Sequence, residues 1–462
     1  MQKYIGDRAF YRRLFSVMLP ILIQSIITNF VNLLDNVMVG QVGTEPMSGV
    51  AIVNQLLFVF NLCIFGGLAG AGIFTAQYYG AGDDKGVADS FRAKLYIAFG
   101  AVLCFTAIFL TAGETLIAQF IHEGNEALDL AATMRHAKDY LAIMLVQLPP
   151  FALQMAYSST LRETGETLLP MKAGIAAVLV NLTLNYILIF GKLGAPALGV
   201  EGAAIATVIA RFTECGIIVL WTHRHRERNR FLDTAFKTWR IPGRLLRAVA
   251  VTGLPLLVNE LLWSSGMTFL NQCYSLRGLE VVSAVNISST VSNLFFTSFI
   301  AMGNAISILI GQLLGAGELE RAVDEDRKLI AFAVVLCTLV GALMALVAPF
   351  VPRIYNTTDT VRRLAGQLLL LTAACMPFHG FANACYFTLR AGGRAAITFV
   401  FDSGWQWGIV LPLAFELSRF TAVPIVPMVA AVLAAENAKC FLGYAFVRRR
   451  AWVRDLVNGI KK

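Results

Sequence analysis

Residues 77–92, QYYGAGDDKGVADSFR, return 235 positions later as residues 312–327, QLLGAGELERAVDEDR. Each string carries Gln, two apolar residues, Gly-Ala-Gly, an acid and a short charged run. Gly at a helix C-terminus permits a left-handed cap, and the acid after it can cap the next helix. Both strings therefore read as tight helix-to-helix turns, and turn chemistry explains them as well as a gating role does. The match extends well beyond them. Positions 19–92 align without a gap to 254–327, and 17 of the 74 pairs are identical, among them Leu19-Pro20 with Leu254-Pro255, Asn36 with Asn271 and Gly43 with Gly278. A second stretch aligns at an offset of 228, pairing Pro149 with Pro377, Leu161-Arg162 with Leu389-Arg390, and Gly165 with Gly393. Glu214 pairs with Glu436 in the last helix of each half.

The repeated unit is a membrane unit. Hydrophobic residues make up 57% of the chain and charged residues 15%, against about 25% charged in an ordinary soluble domain. Twelve apolar segments can be read, near 14–38, 48–79, 95–112, 137–161, 168–191, 197–221, 248–275, 281–315, 329–350, 364–389, 396–417 and 424–447. Each is close to or above the ~20 residues that cross a hydrocarbon core as a helix. The fold expected is all-α, twelve transmembrane helices in two pseudo-twofold six-helix lobes. The lobes span 1–222 and 248–462, joined by a basic linker at 223–247. Six is even, so both halves enter from the same side and their axis runs along the membrane normal, the parallel-repeat arrangement of transporters. The N-terminus has no small-residue cleavage site after its first apolar run and does not read as a signal peptide.

Lys and Arg set the orientation. One side of the membrane collects 28 of them, the other 8, and Arg211 and Lys439 fall inside helices. The positive-inside rule puts both termini and the linker in the cytoplasm, in a multi-pass protein of the cell membrane. The net charge of +9 is then a topology signal with some attraction to anionic lipid heads, and a nucleic-acid role is not expected. All eight Cys lie in apolar segments without a CxxC pair. They read as packing residues, with no metal site and no cofactor. No Gly-x-x-x-x-Gly-Lys-Ser/Thr loop is present, so an ion gradient must drive any transport.

Several stretches resemble the multidrug and toxic compound extrusion (MATE) family: LPILIQSIITNFVNLLDNVMVGQVG, the paired Gly-Ala-Gly turns, NLTLNYILIFGKLGAPALGVEGAAIATVIARFTE, GLPLLVNELLWSSG and AENAKCFLGYAFVRRRAWVRDL. The resemblance covers essentially the whole chain. It implies export of organic cations and other amphiphiles, exchanged for protons or sodium. The family's acid in the first helix matches Asp35, and its seventh-helix acid matches Glu260. In the fifth helix, where some branches carry an acid, this chain has Asn185 with Asn181 one turn earlier. The tenth-helix acid of some sodium-linked members is missing, leaving only His379 there. That puts a second-lobe sodium site in doubt.

An ionisable residue inside a span is costly and usually faces a cavity with a partner. Asp35 has Asn32, Asn36, Asn181 and Asn185 as candidate neighbours. Stripped of water, it can hold a proton in one lobe arrangement and release it in another, or bind sodium among carbonyl oxygens. Glu260 lies mid-span beside Asn259, with Trp263 one turn on to close over a flat cation. These three are the candidate substrate charge of the second lobe. Arg211 with Glu214, and Glu436 with Lys439, have helical spacing and read as structural ion pairs. Asp402 and Glu416 read as solvated near the ends of the eleventh helix. Phe58, Phe60, Phe65, Phe295, Phe296 and Phe299 on the second helix of each lobe read as packing before pocket.

The function expected is a secondary active efflux transporter working by alternating access, without catalytic residues. Its partners are small organic cations or amphiphiles and the surrounding lipids, and it is expected to act as a monomer. A flippase for lipid-linked saccharides has the same architecture but calls for a basic cavity. A membrane-embedded enzyme needs a nucleophile with a base, or an HExxH metal motif, and neither spacing occurs.

Overall fold

A computed structural model of the chain describes residues 4–120 and 130–461. Among them the only regular structure is helical. The long helices are α1 (Arg8–Gly40), α2 (Thr44–Gly80), α3 (Asp84–Ala118), α4 (Leu130–Glu163), α5 (Leu168–Phe190) and α6 (Gly199–Arg224). The second series is α7 (Gly243–Ser275), α8 (Leu279–Gly315), α9 (Leu319–Val347), α10 (Asp359–Ala391), α11 (395–420) and α12 (Ile425–Arg448). Eleven of them are long and apolar enough to cross a membrane. The twelfth, α11, runs as one helical rod but changes its winding, with π turns at Val400–Gly404 and Gln406–Val410 between α-helical ends.

Local chemistry explains the irregularities. Pro149 and Pro150 lack a backbone N–H to donate, and α4 passes through a 3-10 turn at Leu145–Gln147 just before them. Pro20, Pro255 and Pro377 sit inside α1, α7 and α10, which spans tolerate where neighbouring helices re-satisfy the freed carbonyl. The repeat-equivalent helices α3 and α9 turn much apolar surface outward: Leu110 is 71% and Leu339 65% exposed. Such surface suits lipid rather than water.

The chain forms two compact units. One comprises residues 23–75 and 84–247. Its core is the face of α2 that carries Val53, Leu57, Phe60 and Ile64, packed with Tyr140, Leu141 and Met144 of α4 and Ala203 and Ala204 of α6. The linker belongs to this unit. Its short helix Leu232–Ala235 is held by Arg92, whose buried guanidinium donates to the carbonyls of Ala235 (2.7 Å), Thr234 (2.5 Å) and Arg240 (3.2 Å) and pairs with Asp89. Lys94, also wholly buried, donates to Ser159 and Thr160 (both 3.0 Å) and pairs with Glu163. Two of the basic residues that mark orientation are thus internal clamps.

The other unit comprises residues up to 22, residues 76–83 and residues 248–462. Here Ala301, Met302, Ala305, Ile306 and Leu309 of α8 pack with Phe10, Leu14 and Met18 of α1 and with Cys385 and Phe387 of α10. The two Gly-Ala-Gly turns also meet in it, backbone to backbone. A Cβ on Gly80 would lie 1.9 Å from the Gln312 carbonyl oxygen, and one on Gly315 would lie 1.8 Å from that of Gln77. Only glycine permits this approach. Gln77, fully buried, also holds the C-terminal tail. Its Nε2 donates to the carbonyls of Ala391 (3.1 Å) and Arg454 (3.4 Å), and its Oε1 accepts from the Leu456 amide (2.9 Å).

Candidate functional site

In the first unit, α5 brings Asn181 and Asn185, four residues apart and both buried, against Asp35 of α1. Asn185 Nδ2 donates to Asp35 Oδ1 at 2.7 Å. The Asn181 amide, turned so that its nitrogen meets the carboxylate, donates to both Asp35 oxygens at 3.0 Å and accepts from Thr207 Oγ1 of α6 at 3.2 Å. With Asp35 ionised, the opposite orientation would set an amide oxygen against a carboxylate, two acceptors without a proton between them. The buried Asn185 Oδ1 has no hydrogen-bond partner among the described residues. The side chains of Asn32 and Asn36 lie outside the described residues.

One and two turns beyond Thr207, on the same face of α6, Arg211 Nη1 pairs with Glu214 Oε2 at 3.2 Å. Gln154 of α4 donates to the other carboxylate oxygen of Glu214 at 3.0 Å, and Arg211 lies over the Phe151 ring at 5.2 Å. Gln154 carries no sequence signal, since a lone Gln in an apolar span looks the same whether or not it meets a carboxylate.

The second unit gathers a larger polar network. Tyr386 of α10 donates to Glu260 Oε1 at 3.4 Å. Asn259 Nδ2 donates to Tyr386 Oη at 3.3 Å and to Asp402 Oδ2 at 3.1 Å. Ser403 returns two bonds to Asn259 Oδ1, from its amide at 3.2 Å and its hydroxyl at 2.7 Å. Lys439 of α12 stands between Asp402 Oδ1 at 3.5 Å and Glu436 Oε1 at 3.6 Å. Trp263, 40% exposed, takes no part in these bonds. His379 packs on Phe296 with ring centroids 6.0 Å apart, and its Nε2 has no partner among the described residues.

Asp402 departs from the sequence expectation. It is half-buried and paired rather than solvated, whereas Glu416 is exposed. The cause is local winding. Asp402 and Ser403 lie in the first π turn of α11, whose i→i+5 pattern shifts the facing of the helix relative to an unbroken α-helix. Apolar periodicity does not announce such a turn. The aromatics divide. Phe60 is buried in the first unit's core, Phe58 is exposed, and Phe295, Phe296 and Phe299 pack around Met344 and Met376. All eight cysteines are free, and no group of His, Cys, Asp and Glu suited to a metal ion occurs among the described residues.

Comparisons with known proteins agree with this layout. The chain is 24% identical over 457 residues to a probable multidrug resistance protein NorM of Thermotoga maritima, covering 97% of this chain and 95% of that one. A solved outward-facing multidrug resistance MATE transporter of the MOP superfamily superposes with a TM-score of 0.86 at 19% identity, over 100% of this chain and 98% of the other. A MOP superfamily transporter from Pyrococcus furiosus, whose reverse pocket polarity is taken to suggest a different function, gives a TM-score of 0.85 at 19% identity with the same coverage. The MatE family model matches residues 20–187 and 255–415, the two copies of the repeat. The chain belongs to the MatE family.

Proposed function

We propose that this multi-pass membrane protein is a secondary active exporter of cationic and amphipathic organic compounds. It exchanges them for an inward-moving cation by alternating access between lobes 1–222 and 248–462. Both termini face the cytoplasm, a reading that the 28-to-8 split of basic residues supports, and the chain works as a monomer among lipids. The observation that carries the reading is Asp35, a carboxylate inside a span and clasped by two buried carboxamides. Such a residue is costly in a membrane and has no structural need to be ionisable. Relatives named for multidrug resistance support the reading.

The donor set disfavours sodium, and placement inside a span lets Asp35 exchange a proton instead. Asp35 receives N–H groups from Asn181 and Asn185, whereas a hard cation is held by several oxygens. Only one nearby oxygen, Asn185 Oδ1, is uncommitted among the described residues. Glu260, with Asn259 beside it, provides the substrate counter-charge in the second lobe. Trp263 is assigned to closing over the bound cation. The network that holds Glu260 also contains Asp402 and Glu436, and this acidic excess disfavours the flippase reading, which needs basic groups to meet phosphates. The protein is reconstituted in liposomes, a pH or sodium gradient is imposed separately, and ethidium efflux is followed. Efflux under the pH gradient alone is expected. Efflux under the sodium gradient alone would overturn the proton assignment, and none under either would overturn the exporter reading.

A further inference from the structure

Among the described residues Lys439 is the one basic side chain that pairs with two carboxylates of α11 and α12, and its geometry is unusual for a structural bridge. A committed ammonium–carboxylate bond closes to about 2.7–2.9 Å. Lys439 Nζ instead stands almost midway, 3.5 Å from Asp402 and 3.6 Å from Glu436, with the Phe401 ring at 6.0 Å. Its surroundings are built around a cation. Two carboxylates flank it and an aromatic face lies beside it. Asp402 is fixed by Asn259, which is fixed in turn by two bonds from Ser403. The pocket is not sealed: the side chains of Glu436, Asp402 and Lys439 are 31%, 18% and 15% exposed. α12 is also broken there, α-helical through Asn437 and again from Lys439.

This arrangement is continuous with the Glu260 site. Asn259 donates both to Asp402 and to Tyr386, and Tyr386 donates to Glu260. The bonded network thus strings together three carboxylates, Glu260, Asp402 and Glu436, with Lys439 as the ammonium among them. One flexible four-carbon stem carries that charge, so it can lean toward either acid when a second cation arrives.

We propose that Asp402 and Glu436 form a receiving site for organic cations in the second lobe, and that Lys439 is its tethered occupant, limiting cargo to a single positive charge. The inference rests on the exporter reading, and it adds which charge class the exporter accepts and which residue sets it. Arg390 lies beside Glu260 and Tyr386, so with Lys439 in place the network keeps one uncompensated carboxylate, the one that Lys439 leaves between Asp402 and Glu436. Without it, a dication finds two acids free. Like charges in one half-buried site repel strongly enough to reorder affinities.

Ethidium and propidium share one fluorophore and differ by one quaternary ammonium, so they isolate charge from shape. Binding of each is measured by fluorescence polarisation on the full chain in detergent, for the wild type, Lys439→Met, Lys439→Arg and Asp402→Asn. Lys439→Met is expected to raise propidium affinity about tenfold relative to ethidium. Lys439→Arg keeps the wild-type ratio, because the charge remains. Asp402→Asn, with Lys439 intact, weakens both dyes. An unchanged propidium-to-ethidium ratio in Lys439→Met overturns the proposal, as does propidium binding by no variant at all. Should Lys439→Met fail to fold, Asp402→Asn decides alone: unaltered ethidium binding refutes the site. Ethidium efflux under an imposed gradient judges the exporter reading separately, so either can fail without the other.

Discussion

Replacing Gly80 by Ala tests the meeting of the two Gly-Ala-Gly turns. The new Cβ would lie 1.9 Å from the Gln312 carbonyl oxygen, 1.5 Å short of ordinary contact at 3.4 Å. That oxygen cannot swing aside, because it accepts the Ala316 amide at 2.9 Å in the cap of α8. Its counterpart, the Gln77 carbonyl, is tied in the same way to Ala81 at 2.9 Å. The backbones must therefore separate, and overpacking of this kind costs about 1–3 kcal/mol. Gly315→Ala, with a Cβ 1.8 Å from the Gln77 oxygen, should cost a similar amount. The pair should fall well short of additive, since the first substitution already opens the gap that the second needs. Two controls separate crowding from torsion. Gly82→Ala has open space but a φ of +66°, so only the left-handed penalty of ~1–2 kcal/mol applies. Gly100→Ala meets nothing in mid-helix and should stabilise by ~0.5–1 kcal/mol. Thermal unfolding in one detergent at a fixed scan rate ranks the wild type and the five variants, the double one included, the fixed rate being needed where unfolding is irreversible. Wild-type melting for Gly80→Ala, or full additivity with Gly315→Ala, would refute the contact.

Three other outcomes are expected. Asp35→Asn should leave the melting temperature near that of the wild type and abolish gradient-driven ethidium efflux, because an amide cannot exchange a proton; normal efflux in liposomes would remove Asp35 from the mechanism. Gln77→Ala strips the Arg454 carbonyl and the Leu456 amide of their side-chain partner, so limited trypsin should cut after Arg450 or Arg454 faster than in the wild type, and equal rates would count against the clamp. Arg92→Ala leaves the carbonyls of Thr234, Ala235 and Arg240 without this donor and Asp89 without this cation. A loss of ~3–5 kcal/mol is expected, seen as early cleavage within 223–247, with Arg92→Lys restoring part of it.

The repeat, the spans and the turns were legible because each rests on a local pattern: a gapless offset, a run of apolar residues, glycine before an acid. Asp35 and Glu260 stood out for a similar reason, as charges with no neighbouring polar run to excuse them. What escaped depends on how helices face one another. Asp402 sits seven residues into α11 and looked hydrated, because a π turn leaves no mark in hydropathy. Tyr386 and Gln154 are ordinary residues until a carboxylate is set opposite them. Arg92 and Lys94 counted toward topology as flanking charges, although their side chains are turned inward onto carbonyls and hydroxyls.

The glycine contact has one more consequence. Gly80 sits on Gln312 while Gly315 sits on Gln77, and each pair is related by the same 235-residue step. That reciprocity is the signature of an isologous seam, the kind a homodimer makes when residue i of one protomer touches j of its twin and j touches i. The two turns are therefore self-complementary within their unit, and the chain that joins them governs their effective concentration rather than their fit.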